Sequence, residues 1–337
     1  MIIEVADRGT IPAVQKVLQG THEVRKLIFP ERFFVACSGD ERTIDQSALK
    51  KIDGVLNIID TNQHPYYFAS RVFKEKDTIV RVGDVEIGGR RVAMIAGPCA
   101  VENLDDTLET AIGLAETGVK ILRGGAFKPR TTPYNFQGLG LAGLKILAEV
   151  RRRTGLSVVT EVINPEDVEI AAEYVDMMQV GMFNMTNTPL LKRLGEVGKP
   201  VILKRNAYST LANLLKAAEF IIYNGNPHVI LCERGVKTQE TATRFTLDVS
   251  AVPVLKRLSH LPVIIDPSHA AGHRDLVPIL SKCSVVAGAD ALLIESHVAP
   301  ERMIKPGDAD QALHPTEIQA LMKDLQPIAE AVGRTVL

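Results

Sequence analysis

The sequence predicts an α/β protein in which a (β/α)₈ TIM barrel follows a small ferredoxin-like βαββαβ domain. The chain has 337 residues, enough for a barrel of about 250 residues plus a smaller module. From residue 92 onward, short apolar runs alternate with longer amphipathic stretches, as expected for parallel strands covered by helices. Polar residues suited to chemistry gather where the predicted strands end, which is where barrels of this class carry their active sites.

The composition is ordinary for a soluble globular protein, with 46% apolar and 23% charged residues. A net charge of −1 does not favour a nucleic-acid or anionic-membrane partner. We expect no membrane span, because no apolar run approaches the roughly 18–20 residues that a span needs. The start, MIIEVADRGT, has no basic region followed by an apolar stretch, so we expect no signal peptide.

The cysteines indicate a reducing compartment. Cys37, Cys99, Cys232 and Cys283 lie far apart and form no CxxC pair. This spacing argues against a disulfide scaffold and against a zinc finger. We therefore expect a cytoplasmic protein.

Residues 1–65 are predicted to form the ferredoxin-like domain. The predicted strands are 1–6, 24–29, 33–37 and 55–59, and the predicted helices are 11–18 and 47–52. This βαββαβ order is that of a ferredoxin-like unit. No catalytic residue types cluster here, so the domain is either a structural or dimerising module or a sensor of a small molecule. The residues alone do not separate these interpretations.

Residues 66–91 are predicted to be a linker followed by a hairpin. Apolar and polar residues alternate over 81–91 around Gly83 and Gly88–Gly89, a pattern typical of two short strands joined by a turn.

Residues 92–337 are predicted to form the barrel. The predicted strands are 92–97, 120–123, 157–162, 177–180, 201–204, 228–232, 262–266 and 291–295. The predicted helices are 104–116, 141–152, 165–174, 189–197, 210–223, 238–257 (broken), 276–287 and 315–332. Asn164 and Thr188 are predicted to cap the helices at 165 and 189. An open doubly wound sheet is the alternative, but no GxGxxG motif follows the first predicted strand.

The predicted strand ends bring together a set of metal donors. Cys99, His269 and Glu295 follow the first, seventh and eighth predicted strands, which are neighbours in a closed barrel, and Asp308 lies in the loop after the eighth. Thiolate, imidazole and carboxylates together suit Mn²⁺, Fe²⁺, Co²⁺ or Zn²⁺ better than Mg²⁺. The sequence therefore predicts a divalent transition-metal site.

A second set of residues is cationic. Arg123, Lys128, Lys204 and Arg234 come from the second, fifth and sixth strand ends, and Gln179 ends the fourth predicted strand. Arg130 and Thr131 lie further along the unusually long loop LRGGAFKPRTTPYNFQGLG (122–140). Arginine and lysine bind phosphates and carboxylates, so a mouth with a metal on one side and cations opposite is suited to anionic substrates.

Four segments resemble the 3-deoxy-D-arabino-heptulosonate 7-phosphate (DAHP) synthase family. They are IAGPCAVEN (95–103), LRGGAFKPRTTPYNFQGLG (122–140), DPSHAAGHRDLVP (266–278) and AGADALLIESH (287–297). The resemblance covers nearly the whole predicted barrel. KPRTTPYNFQG is the discriminating motif, since the related 3-deoxy-manno-octulosonate 8-phosphate synthases have a different loop there. The N-terminal module resembles the regulatory domain of the type Iβ members.

The resemblance implies a reaction, in which phosphoenolpyruvate condenses with erythrose 4-phosphate in the first step of the shikimate pathway. C3 of phosphoenolpyruvate attacks the aldehyde, which the metal would polarise; water adds at C2, and phosphate leaves by C–O cleavage. It also implies a homotetramer and, through the N-terminal module, inhibition by Tyr or Phe in aromatic amino acid biosynthesis.

The resemblance assigns roles to the residues identified above. The implied metal ligands are Cys99, His269, Glu295 and Asp308, with Mn²⁺ as the first choice of ion and Asp310 as the alternative to Asp308. The implied contacts to phosphoenolpyruvate are Arg123, Lys128, Gln179, Lys204 and Arg234, and the pair implied for the aldose phosphate is Arg130 and Thr131. Lys128 and a metal-bound water are the expected proton carriers. We expect the pKa of Lys128 to be lowered, because other cations surround it.

Three positions depart from the family pattern. Phe183 stands where the family has an arginine that grips the phosphate of phosphoenolpyruvate, Asn206 replaces a glycine, and Phe245 replaces an asparagine. The octulosonate synthases carry a phenylalanine close to the position of Phe183.

Phe183 and Phe245 favour one alternative to a DAHP synthase, a related synthase that takes another aldose phosphate, whereas Lys128, Arg130 and Thr131 argue against it. The other alternative is a paralogue that binds metabolites or a partner without catalysis, and the intact set of four metal donors argues against that one.

Overall fold

The structure, a computed structural model, describes residues 1–18, 23–39, 41–129, 132–304 and 308–336. It divides into two compact units, Met1–Tyr67 and Phe68–Leu337.

The N-terminal unit is a four-stranded antiparallel sheet with two helices, as predicted. Its elements are β1 (Ile2–Val5), α1 (Ile11–Leu18), β2 (Glu23–Phe29), β3 (Arg32–Ser38), α2 (Gln46–Lys50) and β4 (Val55–Ile59). The sheet order is β2-β3-β1-β4, so helix α1 crosses from β1 to β2 with β3 between them. Residues such as Ile3, Val14, Val35 and Leu49 are fully buried in the core of this unit, which confirms the ferredoxin-like prediction.

The second unit is a closed parallel barrel. Its strands are β7 (Arg91–Gly97), β8 (Ile121–Arg123), β9 (Ser157–Val162), β10 (Met177–Val180), β11 (Val201–Lys204), β12 (Val229–Glu233), β13 (Val263–Ile265) and β14 (Ala291–Glu295). Each strand pairs with the next in sequence, and β14 pairs in parallel with β7 from Ala291–Ala93 to Glu295–Gly97. This closure confirms the barrel and excludes the open doubly wound sheet.

The helices surround the barrel and connect its strands. They are α3 (Leu104–Glu116), α4 (Leu141–Thr154), α5 (Asp167–Tyr174), α6 (Thr188–Val197), α7 (Leu211–Tyr223), α8 (Ala251–Leu258), α9 (Pro267–Ala271), α10 (Val277–Val286) and α11 (Pro315–Ala331). A last short strand, β15 (Thr335–Val336), pairs with the start of β7. Among the described residues, none of the helices combines the length and the apolar character that crossing a membrane requires.

A hairpin of β5 (Val80–Val82) and β6 (Val85–Ile87) packs against one end of the barrel core. Its four buried apolar side chains belong to one cluster with interior residues such as Ile95, Ile202 and Leu293. The chemistry-bearing strand ends lie at the other end of the barrel.

The segment between Phe68 and Thr78 is held by three polar side chains, which we name the linker cluster: the half-buried Glu219 and the buried Ser259 and His260. Glu219 accepts hydrogen bonds from the backbone N–H groups of Phe68 and Ala69 at 3.0 and 2.9 Å. Ser259 Oγ donates to the carbonyl oxygen of Ala69 at 2.5 Å. His260 Nε2 donates to the carbonyl oxygen of Phe68, and its Nδ1 accepts from the Thr78 hydroxyl, both at 2.8 Å.

Three local predictions were wrong. Of the predicted broken helix 238–257, only α8 forms, because threonine side chains upstream bond locally instead: Thr238 Oγ1 lies 2.6 Å from Thr246 Oγ1, and Thr243 donates to the carbonyl oxygen of Phe245. The cap of α6 is Asn187, which accepts from the N–H of Leu190, rather than Thr188.

Helix α5 begins two residues later than predicted, and Asn164 does not cap it. Its side-chain amide instead donates to Asp167 at 3.0 Å, across the turn that precedes the helix.

Candidate active site

The candidate site lies at the carboxyl ends of the barrel strands, as the strand-end pattern predicted. Each described site residue ends a strand or follows one closely, except Lys128 and Asp308, which lie in the longer loops after β8 and β14. The residues that line the common pocket include Cys99, Arg123, Lys128, Gln179, Lys204, Arg234, His269 and Asp308. Arg130 and Thr131 lie outside the described residues.

Four potential metal donors converge on one side of this pocket. One ligand atom each from Cys99, His269, Glu295 and Asp308 lies within 4.8 Å of the others. Cys99 Sγ is 3.4 Å from His269 Nε2, and His269 Nε2 is 3.8 Å from Glu295 Oε2 and 3.9 Å from Asp308 Oδ2. Of the two candidate aspartates, Asp308 belongs to this group of donors and Asp310 does not. Asp310 lines a neighbouring pocket, which Asp308 also borders.

Two of the donors are oriented by neighbouring groups. Asp266, which precedes helix α9, accepts from the backbone N–H of His269 at 3.0 Å, and its other oxygen lies 2.8 Å from His269 Nδ1. This leaves Nε2 directed at the donor set, the arrangement common for metal-binding histidines. The backbone N–H of Cys99 donates to Glu295 Oε1 at 2.9 Å, which joins the ends of two paired strands.

Gly97 allows the close approach that places Cys99. Its φ is +146°, and a Cβ atom there would lie 2.2 Å from the carbonyl oxygen of Arg123. Any larger residue at the end of β7 would push the strand away from β8.

Burial shifts the proton affinities of the donors strongly. Burial, with the charges of Asp308 and Glu295, raises the pKa of the Cys99 thiol to about 12. Burial, together with the charge of Asp308, raises the pKa of Glu295 to about 7. Burial lowers the pKa of His269 to about 3, although the charge of Asp266 acts to raise it. The pKa of Asp308 is lowered because the charges of His269 and Lys128 outweigh its burial.

The donor set fits a divalent transition metal. Two buried carboxylates and a thiol crowd one imidazole, and their mutual repulsion is relieved when a cation lies between them. One sulfur, one nitrogen and carboxylate oxygens form the mixed donor set that borderline metals accept. Binding must displace the Cys99 proton at neutral pH, so metal uptake is coupled to proton release.

Four cations line the same pocket as the donors, each 4–6% exposed: Arg123, Lys128, Lys204 and Arg234. Lys204 Nζ donates to Asp266 at 2.7 Å, and Lys128 Nζ donates to Cys99 Sγ at 2.8 Å. By contrast, the Nη1 atoms of Arg123 and Arg234 are buried and have no hydrogen-bond partner among the described residues. Because buried guanidinium nitrogens are nearly always paired, these two indicate a site for an anionic ligand.

The predicted lowering of the Lys128 pKa is wrong. Burial does lower it, but the adjacent Cys99, which accepts a hydrogen bond from Nζ, and the carboxylates of Glu161 and Asp308 outweigh burial, and the net pKa is raised. The prediction counted the nearby arginines and missed the acidic groups, because those come from distant strands. Lys128 is therefore held as an ammonium.

The three unusual residues have identifiable positions. Phe183 lines the pocket and is 56% exposed. The guanidinium carbon of Arg234 lies over the ring of Phe245, 4.2 Å from the ring centroid. Asn206 donates to the carbonyl oxygen of Met182 at 3.0 Å, which ties the loop after β11 to the loop after β10.

Sequence reasoning gave no role to Arg244 or Gln311. Arg244 Nη1 donates to Asp308 Oδ1 at 2.8 Å, and Gln311 Nε2 donates to Glu295 Oε2 at 3.0 Å. Arg244 lies in the segment that contains the Phe245 departure, but its charge alone does not distinguish it from a surface arginine.

Comparisons with known proteins identify the family of this chain. The family model described as DAHP synthetase I family matches residues 68–332. A phospho-2-dehydro-3-deoxyheptonate aldolase of Thermotoga maritima is 43% identical over 303 residues, covering 90% of this chain and 89% of the relative. A 2-dehydro-3-deoxyphosphooctonate aldolase of Syntrophotalea carbinolica is 32% identical, covering 75% of this chain and 96% of the relative.

Solved structures give the same result. The crystal structure of the phospho-2-dehydro-3-deoxyheptonate aldolase (DAHP synthase) of Thermotoga maritima superposes with a TM-score of 0.78 at 39% identity, covering 100% of this chain and 98% of that one. A truncated form of 3-deoxy-D-arabino-heptulosonate 7-phosphate synthase from the same organism covers 81% of this chain and 99% of its own, with a TM-score of 0.75 and 42% identity. Because the family model matches residues 68–332 and the Thermotoga maritima relative is 43% identical over 90% of this chain, this protein belongs to the DAHP synthetase I family.

Proposed function

We propose that the pocket at the barrel mouth performs the reaction of the family, the metal-dependent condensation of phosphoenolpyruvate with erythrose 4-phosphate to give DAHP and phosphate. The observation that carries the assignment of the site is that four metal donors lie beside a pocket lined by two arginines, each with a buried guanidinium nitrogen that has no partner among the described residues. An electrophile and an anion can then be held next to each other.

The cationic residues would bind phosphoenolpyruvate. Within the described part of the chain, Nη1 of Arg123 and Nη1 of Arg234 are unpaired and can donate to its phosphate or carboxylate, and Lys204 adds a charge already oriented by Asp266. Gln179, 5% exposed at the end of β10, supplies a neutral donor to the same pocket. Holding the enol phosphate this way directs its C3 toward the donor side.

The donor residues would hold a divalent cation through Cys99 Sγ, His269 Nε2 and the carboxylates of Glu295 and Asp308. When bound, the metal supplies Lewis acidity to the aldehyde of the second substrate. C3 then attacks the aldehyde carbon, water adds at C2, and phosphate leaves with cleavage of the C–O bond. Lys128, held as an ammonium next to Cys99, has a proton at Nζ to donate to the developing alkoxide.

Mn²⁺ is our first assignment for the metal, with Fe²⁺, Co²⁺ and Zn²⁺ as alternatives, because the mixed donor set accepts all four. Activity of the chelator-treated protein should return with these ions and not with Mg²⁺ alone. Arg130 and Thr131 are proposed to bind the phosphate of the aldose, and Arg130→Met should raise the KM for that substrate more than the KM for phosphoenolpyruvate.

The deciding measurement is the loss of phosphoenolpyruvate absorbance with erythrose 4-phosphate and Mn²⁺, repeated after chelation. Metal-dependent loss supports the assignment. No loss, with metal bound and phosphoenolpyruvate bound, would show that the aldose is different. Absence of metal binding would instead favour a non-catalytic paralogue.

A related synthase for another aldose phosphate is the second candidate. Phe183 presents an exposed apolar ring to the pocket where a charge is usual, and octulosonate aldolases are among the relatives. Measuring kcat/KM for a panel of aldose phosphates at a fixed phosphoenolpyruvate concentration distinguishes the two candidate functions. A higher kcat/KM for a five-carbon sugar phosphate than for erythrose 4-phosphate would support this second function.

We further propose that the N-terminal unit is a regulatory domain that senses Tyr or Phe. Its separate core and the lack of clustered catalytic residue types in its described part support this. The deletion that tests it should end at Tyr67, because the segment from Phe68 is hydrogen-bonded to the linker cluster. Loss of inhibition with retained activity is expected; unchanged inhibition would contradict the proposal.

The proposed assembly is a homotetramer and the proposed location is the cytoplasm. Among the described residues, the four cysteines form no disulfide, as expected in a reducing compartment. Light scattering of the purified protein checks the assembly, and a mass of one or two chains would contradict it.

A further inference from the structure

We propose that Arg244 is a positioning residue for the metal donors, holding Asp308 directly and Glu295 through Gln311, so that both carboxylates face a divalent cation. The inference rests on the metal role of the donor set in the proposed function.

The contacts form a relay from one side chain to two donors. Arg244 Nη1 donates to Asp308 Oδ1 at 2.8 Å and to Gln311 Oε1 at 3.3 Å. Gln311 Nε2 in turn donates to Glu295 Oε2 at 3.0 Å. Because Arg244 uses Oδ1, the other oxygen of Asp308 is left on the side of His269, 3.9 Å from Nε2.

The position of Arg244 is determined by the helix that carries His269. The backbone N–H groups of Arg244 and Phe245 donate to the carbonyl oxygens of Ala271 and Ala270 in α9, at 3.1 and 2.9 Å. Arg244 also packs on Gly272: a Cβ atom added to Gly272 would lie 2.8 Å from the Cβ atom of Arg244. The guanidinium lies 6.0 Å from the ring centroid of Phe245. The backbone and side chain of Arg244 together connect the loops that follow β12, β13 and β14.

Asp308 needs such a support more than the other donors do. Glu295 belongs to a strand and His269 to a helix, and Cys99 directly follows β7 with its backbone N–H bonded to Glu295, whereas Asp308 lies in the long loop after β14. The Asp308 side chain is only 10% exposed beside Glu295, and two carboxylates repel each other before a cation binds. The positive charge of Arg244 offsets that repulsion on the side away from the donors.

The competing interpretation is an ordinary surface ion pair, since the Arg244 side chain is 46% exposed and such pairs contribute little. Arg274 provides a matched control. Its side chain has the same 46% exposure and pairs with Glu317, outside the donor set.

The experiment titrates Co²⁺ into the metal-free, full-length protein without substrates, following cobalt–thiolate absorbance and heat. Orienting partners of metal ligands are worth about 10–100-fold in affinity, so Arg244→Gln should weaken Co²⁺ binding by that factor. Arg244→Lys should recover part of the loss by restoring the charge, and Arg274→Gln should stay within about twofold of the parent. Gln311→Met tests the relay to Glu295 alone and should give an intermediate loss.

The outcomes separate the inference from the function on which it rests. If the parent protein binds no Co²⁺, the proposed donor set is wrong and the inference falls with it. If the parent binds Co²⁺ and Arg244→Gln and Gln311→Met bind equally well, only the inference is overturned. A raised KM for either substrate with unchanged Co²⁺ affinity would also overturn it, because Arg244 would then be a substrate contact.

Discussion

Two groups of buried or half-buried polar residues in the barrel unit differ in one respect, whether their hydrogen bonds are complete. In the linker cluster, Glu219 accepts two backbone N–H bonds and both ring nitrogens of His260 are paired. At the barrel mouth, Arg123 and Arg234 each keep a buried guanidinium nitrogen without a partner among the described residues. A complete set stabilises the fold, whereas an incomplete set of charged groups is suited to a ligand.

The largest expected effect comes from removing a donor. His269→Ala should abolish Co²⁺-thiolate absorbance and lower turnover by more than about 100-fold, because the imidazole is the only nitrogen ligand in the donor set. Ser259→Ala, in the linker cluster, should leave metal binding unchanged. If both variants lost metal binding equally, the two groups would not differ in function as proposed.

The titration of the linker cluster should make the free energy of unfolding depend on pH. Burial raises the pKa of Glu219 from 4.5 to about 7, so its stabilising contribution is complete at low pH and is lost as pH rises through that window. The Glu219→Gln variant has no carboxyl group to titrate there and so does not lose this stability. The free energy of unfolding of the variant minus that of the parent should therefore rise by up to about 3 kcal/mol as the pH increases from 4.5 to 7.

His260 provides the control of opposite sign. Burial lowers its pKa from 6.5 to about 4, so its contribution is present above pH 6.5 and is lost as pH falls toward 4. The stability of His260→Gln relative to the parent should therefore rise as the pH falls. Urea unfolding of chelator-treated protein at several pH values measures both, and slopes of the same sign would contradict these assignments.

A third comparison separates binding from stability. Arg123→Met should raise the KM for phosphoenolpyruvate by roughly 10–100-fold, the value of a charge-assisted contact of about 1.5–3 kcal/mol, with little loss of unfolding free energy. Ser259→Ala should do the reverse and cost about 1–3 kcal/mol of stability at unchanged KM, because the buried carbonyl of Ala69 loses its donor. Steady-state kinetics and urea unfolding on both variants check it. A destabilised Arg123→Met with normal KM would mean that Arg123 is structural.

The smallest expected effect is a gain. Phe183→Arg should lower the KM for phosphoenolpyruvate by about tenfold, by adding a charge-assisted contact at the pocket wall. Phe183→Leu is the control and should stay near the parent. The same KM in both variants would mean that this wall does not contact the substrate.

Much of the fold and of the site followed from the chain alone, and the misses have identifiable causes. The strand at Ser157–Val162 and the helix at Leu104–Glu116 were predicted to the residue, since apolar periodicity is a local property. The helix expected from 238 failed because its threonines bond to nearby backbone and side chains, a competition that periodicity does not report. Cap assignment failed at Thr188 because the adjacent Asn187 has an equally good side chain and lies one residue earlier.

The sequence by itself determined the order of the elements, the closed parallel barrel and the residues that end its strands. Those ends meet at one mouth, so the convergence of Cys99, His269 and Glu295 was predictable from topology. The tertiary structure decided what depends on groups from several loops at once: the relay from Arg244 through Gln311 and the raised pKa of Lys128. It also decided which guanidinium atoms remain unpaired. These depend on distances between loops and on the balance of burial against charge, and neither is encoded in the local pattern of the chain.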